Sequence, residues 1–320
     1  MVKNEDPMRA VKDCVAGSAG GILQVFAGQP FDTVKVRLQT QPTPAPGVAP
    51  LYTGTIDCVK KTIAQEGFAG FYKGTTTPLV GVGACVSIQF LVLQAMKRVY
   101  TNINLRSGKG ADSNMLTLSQ LYTAGAAAGV ANSIIAGPVE HIRTRLQVQT
   151  SSSPALSGTS GTQVPSKAFY TGPIDCIRKI YQSHGLRGIY KGQIATVIRE
   201  FQGYGAYFLT YEYLVQRAIQ KENKARDELS TWTVCAYGAT AGYAMWLTIY
   251  PIDIIKSKLQ TDSFDITSQK YKSLLDCARK TFTHEGIAGF FRGATPCIIR
   301  AAPANAATFV GFELAMRFLQ

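Results

Sequence analysis

Segments without charged residues dominate the hydrophobic and polar pattern of this chain. Three of them contain no Asp, Glu, Lys or Arg over at least 20 residues, at 74–96, 118–137 and 229–252. A shorter segment covers 14–31, and two further candidates begin near residues 192 and 293, interrupted by Arg199, Glu200 and Arg300. A helix of about 20 apolar residues crosses the core of a bilayer. The pattern therefore predicts an all-α membrane protein with six spanning helices.

A ten-residue motif occurs three times, as PFDTVKVRLQ at 30–39, PVEHIRTRLQ at 138–147 and PIDIIKSKLQ at 251–260. Each copy holds a proline, an acid two residues later and a base three residues after the acid. An Asp-Cys pair, a glycine and an aromatic-base-glycine step then recur at constant spacing. Such self-similarity indicates tandem structural repeats. We expect three repeats at 10–105, 116–222 and 229–320, each with two spanning helices joined through a short one, in pseudo-threefold arrangement.

The predicted spanning helices are rich in Gly, Ala, Ser and Thr, which favours close packing of helices over simple exposure to lipid. A GxxxG pair precedes each motif proline, at Gly17 and Gly21, Gly125 and Gly129, and Gly238 and Gly242. Such pairs let two helix backbones approach each other. We expect all three pairs to face inward.

The formal net charge of +13 would suggest nucleic acid in a soluble protein. No stripe of bases interleaved with stacking aromatics is present, however, and nucleic acid is not an expected partner. The bases cluster between the two helices of each repeat and just before the second helix, which favours an anionic lipid surface. A base-glycine step at a helix start also offers backbone N–H groups to a lipid phosphate. The candidates are Gly54, Lys73, Gly74, Gly172, Lys191, Gly192, Arg292 and Gly293.

Enzymatic chemistry has no evident basis in this sequence. Seven cysteines occur without a CxxC or Cys/His cluster, so neither a metal site nor a disulfide framework is expected. No GxxxxGK[ST] loop and no nucleophile with a matched base stands outside the repeats. The opening MVKNEDPMRA lacks the features of a cleaved transit peptide. We predict a protein that is not an enzyme and that uses no cofactor.

The three motifs, each followed by an EGxxGFYKG-like element, resemble the mitochondrial carrier family over essentially the whole chain. The resemblance implies six tilted helices and three short matrix helices in the inner membrane, functioning as a monomer. The anionic lipid there would be cardiolipin. In that family the acids and bases of the motifs join neighbouring repeats and close the matrix side. Here the pairs would be Asp32 with Arg143, Glu140 with Lys256 and Asp253 with Lys35, braced by Gln39, Gln147 and Gln260.

The opposite end departs from the family pattern, which has an aromatic-acid pair with a base three residues after the acid. Val215 and Met316 stand where those bases would follow Glu212 and Glu313, and Gln94 replaces the third acid. Arg98, Gln216 and Arg317 lie one residue later, where a partner on the same helix remains possible. We expect a weak cytoplasmic gate.

Substrate selectivity should lie where the threefold pattern breaks. Gly81, Arg199 and Arg300 occupy equivalent positions, and Glu200 follows Arg199. Charges at mid-membrane depth cost about 3 kcal/mol and indicate function. Adjacent helical residues point about 100° apart, so we expect Arg199 and Glu200 not to neutralise each other. The three charged residues are predicted to meet at one chamber, with further contacts from Cys85, Gln89, Tyr204, Tyr207, Asn305, Thr308 and Trp246.

Two bases and one acid suit a zwitterion, with its carboxylate on an arginine and its ammonium on Glu200. The segments GVGACVSIQF, REFQGYGAYFLTYE and RAAPANAATF resemble the carnitine, ornithine and amino-acid branch of the family, and within it the yeast glycine/glutamate-type carriers. The expected function is transport of small amino acids by alternating access. A carnitine, acylcarnitine or ornithine exchanger is the first alternative, and a non-transporting membrane scaffold is the second.

Overall fold

The computed structural model describes residues 7–42, 49–106, 116–149, 169–222, 228–265 and 267–319. These residues form helices joined by turns and short loops, without a β-strand. The α-helices in chain order are α1 (Pro7–Thr40), α2 (Thr55–Glu66), α3 (Thr76–Arg106), α4 (Leu118–Val148), α5 (Pro173–Ile189), α6 (Gln193–Glu222), α7 (Thr231–Thr261), α8 (Leu274–Glu285) and α9 (Ala294–Leu319). Two 3₁₀ turns, Phe68–Tyr72 and Ile287–Phe291, follow α2 and α8. The order long, short, long therefore occurs three times.

The long helices pack against one another in two groups. α3 packs on α4, α4 on α6 and α6 on α7, and α1 packs on α9. The three helices that carry the proline motif, α1, α4 and α7, also contact one another pairwise. The acids and bases of the three motifs are thereby brought together at one end of the bundle.

The Asp-Cys pair of each repeat fastens the short helix to the first long helix. Cys58, Cys176 and Cys277 are fully buried within apolar clusters formed with the motif helices. Burial raises the pKa of the Cys58 thiol to about 11 and those of Cys176 and Cys277 to about 12. These thiols therefore stay protonated at neutral pH and serve packing.

Six recurring glycines adopt backbone angles that other residues disfavour. Gly67 and Gly286 close α2 and α8, and Gly185 marks a break within α5, with φ between 59° and 67° at all three. The glycines of the aromatic-base-glycine steps, at 74, 192 and 293, have φ between 77° and 82°. Positive φ is available to glycine at little steric cost. These glycines recur because each repeat makes the same two turns between its long helices.

Only one of the three GxxxG pairs lies at a close helix contact. A Cβ atom on Gly125 or Gly129 would collide with the backbone of α6, at Tyr204 or Glu200. Nothing lies within 4 Å of an added Cβ at Gly17, Gly21, Gly238 or Gly242. The close helix packing expected of all three pairs is therefore observed only in the second repeat. On α1 the close contact uses another face of the helix, where Gly20 meets Gly311 of α9.

A buried carboxylate joins the short helix to the long helices in repeats 1 and 3. Glu66 binds Arg37 at 2.9 Å and Lys73 at 2.5 Å. The equivalent Glu285 binds Lys258 at 2.5 Å and Arg292 at 3.0 Å. Both carboxylates are almost fully enclosed, with side chains 2% and 4% exposed.

Repeat 2 has His184 where the other two repeats have this glutamate. Its ring stacks on Phe264 at 4.4 Å. The two bases that would have bound a carboxylate, Arg145 and Lys191, also lie against Phe264, and each donates to the Asp262 carbonyl at 2.8 Å. Burial, with the charge of Arg145 nearby, lowers the pKa of Lys191 to about 8. In repeat 2, contacts with the Phe264 ring and with a backbone carbonyl oxygen therefore take the place of the buried carboxylate.

Length and hydropathy alone identify no individual helix of the described residues as a membrane span. Segments 68–81 and 83–106, which lie at 45° to each other, meet the length and hydropathy criteria when they are taken together.

We predict that Glu66→Gln destabilises the fold by about 3 kcal/mol, because removing one partner of a buried ion pair leaves the other charge uncompensated. Asp57→Asn on the same helix is the matched control, since its pair with Lys61 is exposed to solvent and surface pairs contribute little. Thermal unfolding of both purified variants in detergent measures the difference. Equal unfolding temperatures would contradict the structural role given to Glu66.

Candidate functional site

The structure forms all three ion pairs expected between the motifs. Lys35 binds Asp253 at 2.6 Å, Arg143 binds Asp32 at 2.7 Å, and Lys256 binds Glu140. Each pair joins two different motif helices, so together they tie α1, α4 and α7 at one end of the bundle. We call these six residues the ion-pair network. Their side chains range from 5% exposed at Lys256 to 32% at Glu140, so the network is only partly open to water.

The glutamine brace is present in one of the three expected places. Gln39 donates to Asp253 at 3.2 Å and to the Tyr250 hydroxyl at 3.4 Å. Gln147 and Gln260 instead donate to threonine hydroxyls, of Thr33 and Thr196. The expectation of three equivalent braces is therefore wrong in two repeats.

The two missing braces have a physical cause in the second long helices. Arg199 of α6 binds Glu140 at 2.9 Å, and Arg300 of α9 binds Asp32 at 2.9 Å. Both carboxylates are then occupied by two bases each, which leaves little room for an amide donor. Asp253 has Arg199 only at 3.8 Å, and it retains its glutamine.

Arg199 and Glu200 contact each other directly, contrary to the expectation from helix geometry. The Arg199 guanidinium binds the Glu200 carboxylate and the Glu140 carboxylate together. The angle of about 100° separates the Cα–Cβ directions of adjacent residues. The arginine side chain is long and flexible enough to bend back towards the Glu200 carboxylate. Arg199 therefore connects the ion-pair network to Glu200.

A cavity of about 300 Å³ lies beside Arg199 and Glu200. Among the predicted substrate contacts, Cys85, Gln89 and Tyr204 also line it. The remaining wall comes from α3, α4, α6 and α7, namely from Pro78, Gly81, Val86, Asn132, Ala136, Val139, Glu140, Arg143, Gly203, Met245 and Ile249.

Arg300 is not part of the cavity wall. Its guanidinium lies against Gly28 and binds Asp32, with a side chain 29% exposed. The prediction that the three charged residues meet around one chamber therefore fails for Arg300. α9 packs against α1, whereas the cavity lies on the side of α3, α4 and α6.

Four other predicted contacts also lie outside the cavity wall. Tyr207 packs against Phe208 and Tyr211, and Asn305 is exposed. The Thr308 hydroxyl donates to a carbonyl of its own helix. The Trp246 ring lies 4.4 Å from the Lys35 ammonium, a cation–π contact with the ion-pair network.

Asn132 of α4 is a cavity residue that the sequence reasoning missed. It is 3% exposed and donates to Glu200 at 3.0 Å. Gln24 and Met245 occupy the equivalent positions, six residues before the motif prolines. The same search for broken symmetry that selected Arg199 could have found Asn132, had it been applied to the first helix of each repeat.

The far end of the bundle has an ion pair between helices that the sequence reasoning also missed. Lys97 of α3 binds Glu212 of α6 at 2.5 Å. Lys97 stands three residues after Gln94, which is the motif position for a base. Arg317 pairs with Glu313 on the same helix, as anticipated, and both side chains are more than 60% exposed.

The predicted lipid residues lie near the short helices. Gly54 and Gly172 precede α2 and α5, and neither helix start has a side-chain cap. Lys73, Lys191 and Arg292 bind protein partners beside the second long helices. Gly74, Gly192 and Gly293 form the adjoining turns.

Comparison with known proteins places these features in context. The sequence model for mitochondrial carrier proteins matches residues 6–104, 114–222 and 227–320. The chain is 46% identical over 306 residues to the glutamate/glycine mitochondrial carrier of Schizosaccharomyces pombe, covering 95% of this chain and 93% of the relative. It is 45% identical over 316 residues to the mitochondrial glycine transporter of Saccharomyces cerevisiae, covering 98% and 93%. Identity to the human mitochondrial carnitine/acylcarnitine carrier protein is 38% over 320 residues, covering 100% and 98%.

We expect Gln39→Ala to destabilise the protein more than Gln260→Ala does. Both side chains are about 1% exposed, so the two truncations remove similar buried volume. Only the first removes a hydrogen bond to a buried charged group, the Asp253 carboxylate, and such a bond contributes about 1.5–3 kcal/mol. Thermal unfolding in detergent measures both variants. A larger effect of Gln260→Ala would refute the assignment of Gln39 as the single brace.

Proposed function

Because the chain belongs to the mitochondrial carrier protein family, we propose that it transports small zwitterionic amino acids of the glycine or glutamate type across the mitochondrial inner membrane. Transport proceeds by alternating access between the two sides. The observation that carries this proposal is the contact of Arg199 with Glu200 at the cavity wall. Glycine and glutamate are also the solutes in the names of the two yeast relatives.

The two charges suit the two ends of an amino acid. The planar guanidinium of Arg199 can bind a carboxylate through paired hydrogen bonds. Glu200 is the acid for the ammonium group. The cavity volume of about 300 Å³ lies at the lower limit of the roughly 300–1,000 Å³ that small-molecule pockets occupy, which favours a small solute over a long acyl chain.

Arg199 also gives substrate binding a direct effect on the ion-pair network. In the structure its guanidinium is shared between Glu140 and Glu200. A substrate carboxylate that binds Arg199 competes with Glu140 and removes one of the two bases that hold this carboxylate of the network. A ligand shifts an equilibrium only through its different affinity for two states. Binding at Arg199 therefore favours the state in which the network has opened.

The surface of the long helices supports membrane insertion of all six. Large apolar side chains are strongly exposed on them, among them Val80 at 85%, Leu91 at 70%, Leu247 at 74% and Phe318 at 89%. Extended exposed apolar surface marks contact with lipid or another partner. On this basis the ion-pair network closes the matrix side, and α2, α5 and α8 lie at the matrix surface.

Anionic lipid is the proposed partner at that surface, with the protein acting as a monomer. The starts of α2 and α5, at Gly54 and Gly172, have free N–H groups and no side-chain cap, whereas Ser273 caps α8. Free N–H groups at a helix start attract phosphate. Cardiolipin would bind there and at the neighbouring base-glycine steps Lys73–Gly74, Lys191–Gly192 and Arg292–Gly293.

We predict that Arg199→Ala lowers glycine and glutamate uptake by reconstituted protein at least about tenfold, because it removes the charged partner of the substrate carboxylate. Arg317→Ala is the control, because Arg317 is exposed at the far end of the bundle, where its ion-pair partner is Glu313 of the same helix. Uptake is measured with labelled solutes in liposomes.

Three results would contradict the proposal. Full uptake by Arg199→Ala would remove the site. Uptake of labelled carnitine or ornithine by the unaltered protein, without glycine or glutamate, would support the exchanger of the human carnitine type. Absence of flux for every solute in a broad panel would support a membrane scaffold.

A further inference from the structure

Asn132 holds one oxygen of Glu200 in place. Its Nδ2 donates to Glu200 Oε2 at 3.0 Å, while Arg199 binds Oε1. Both side chains are almost fully buried, with Asn132 3% and Glu200 4% exposed. The carboxylate therefore presents a fixed orientation beside the cavity that both residues line.

The chemistry of the contact determines which way the Asn132 amide points. An ionised carboxylate only accepts hydrogen bonds, so the amide NH₂ group must face Glu200. The carbonyl Oδ1 is then directed elsewhere, and it is buried without a hydrogen-bond partner among the described residues. An unmet buried acceptor is unfavourable, and a donor that reaches it restores the lost hydrogen bond.

Close packing of α4 against α6 makes this contact possible. Gly129 lies one turn before Asn132 and touches the backbone of Glu200, where any larger residue would collide. The short Asn132 side chain can span the gap only because the two helices approach this closely. The free acceptor and the Glu200 carboxylate are consequently held next to each other.

We propose that Asn132 selects substrates with a primary ammonium group. This inference rests on the proposed function, in which Glu200 binds the ammonium. A primary ammonium carries three N–H donors, enough to satisfy both Glu200 and the Asn132 carbonyl. A trimethylammonium group has the same charge and no N–H donor, so it leaves the carbonyl unmet. Asn132 thereby favours amino acids over carnitine-like solutes.

A series of methylated glycines tests this selectivity at constant carboxylate and charge. Glycine, N-methylglycine, N,N-dimethylglycine and trimethylglycine carry three, two, one and no N–H donors, and each is used to compete with labelled glycine uptake by reconstituted protein. For the unaltered protein we expect apparent affinity to fall along the series, by about tenfold or more in total.

The isosteric pair Asn132→Thr and Asn132→Val separates hydrogen bonding from shape. Threonine keeps a donor and an acceptor and should retain most of the fall along the series. Valine has neither, so we expect the Asn132→Val variant to show similar apparent affinity for all four competitors, with weaker glycine binding and nearly unchanged trimethylglycine binding. A merely structural role would weaken the binding of all four competitors alike. If apparent affinity falls along the series in Asn132→Val as it does in the unaltered protein, the proposal is overturned. If Asn132→Val does not fold, Asn132→Ser and Asn132→Ala provide the same comparison.

The outcomes distinguish this inference from the proposed function. Suppose that the unaltered protein takes up glycine and that the threonine and valine variants show the same fall in apparent affinity along the series. This result refutes only the role of Asn132. No glycine or glutamate uptake by the unaltered protein refutes both.

Discussion

The contact on which the rest of the structure depends is the guanidinium of Arg199 held between two carboxylates. Glu140 belongs to the ion pairs that tie the motif helices together, and Glu200 lies at the cavity. A single buried base thus contacts both the ion pairs at one end of the bundle and the acid at the cavity wall. Removing either carboxylate would leave a charge poorly compensated, which is why the arrangement tolerates a change of partner better than the loss of one.

The threefold pattern is broken by the residues on the second helix of each repeat. Arg199 and Arg300 add a base to two of the three carboxylates, whereas Gly81 adds none and lies close to Val139 instead. Together with Glu200, the ion-pair network and the two arginines contain five basic and four acidic groups, a net charge of +1. The surplus is suited to a solute that brings one more negative charge than positive, as glutamate does.

The sequence predicted what repetition makes visible. The three motifs were visible from spacing that occurs in each copy, and the family resemblance that they carry implied the three ion pairs. That resemblance is confirmed by the match over all three repeats. Contacts that depend on side-chain reach were not predictable in this way. The turn of Arg199 back onto Glu200 and the displacement of Gln147 and Gln260 depend on side-chain conformations that no periodicity encodes. Lys97, by contrast, stands at the motif position for a base, so its pairing with Glu212 could have been found from the spacing. Arg300 lies outside the cavity because α9 packs on α1, a tertiary contact that the sequence pattern does not encode.

The glycines at 125 and 129 have a mechanical consequence. Because backbone packs against backbone at two points one turn apart, we expect α4 and α6 to move as one body. Asn132 and Glu200 both belong to it and keep their separation throughout. Arg199 and its partner Glu140 stand on the same two helices, whereas the other acids and bases of the ion-pair network, apart from Arg143, stand on α1 and α7. A rearrangement of α1 or α7 would therefore change the ion pairs of the network while the acid, the base and the amide beside the cavity keep one geometry.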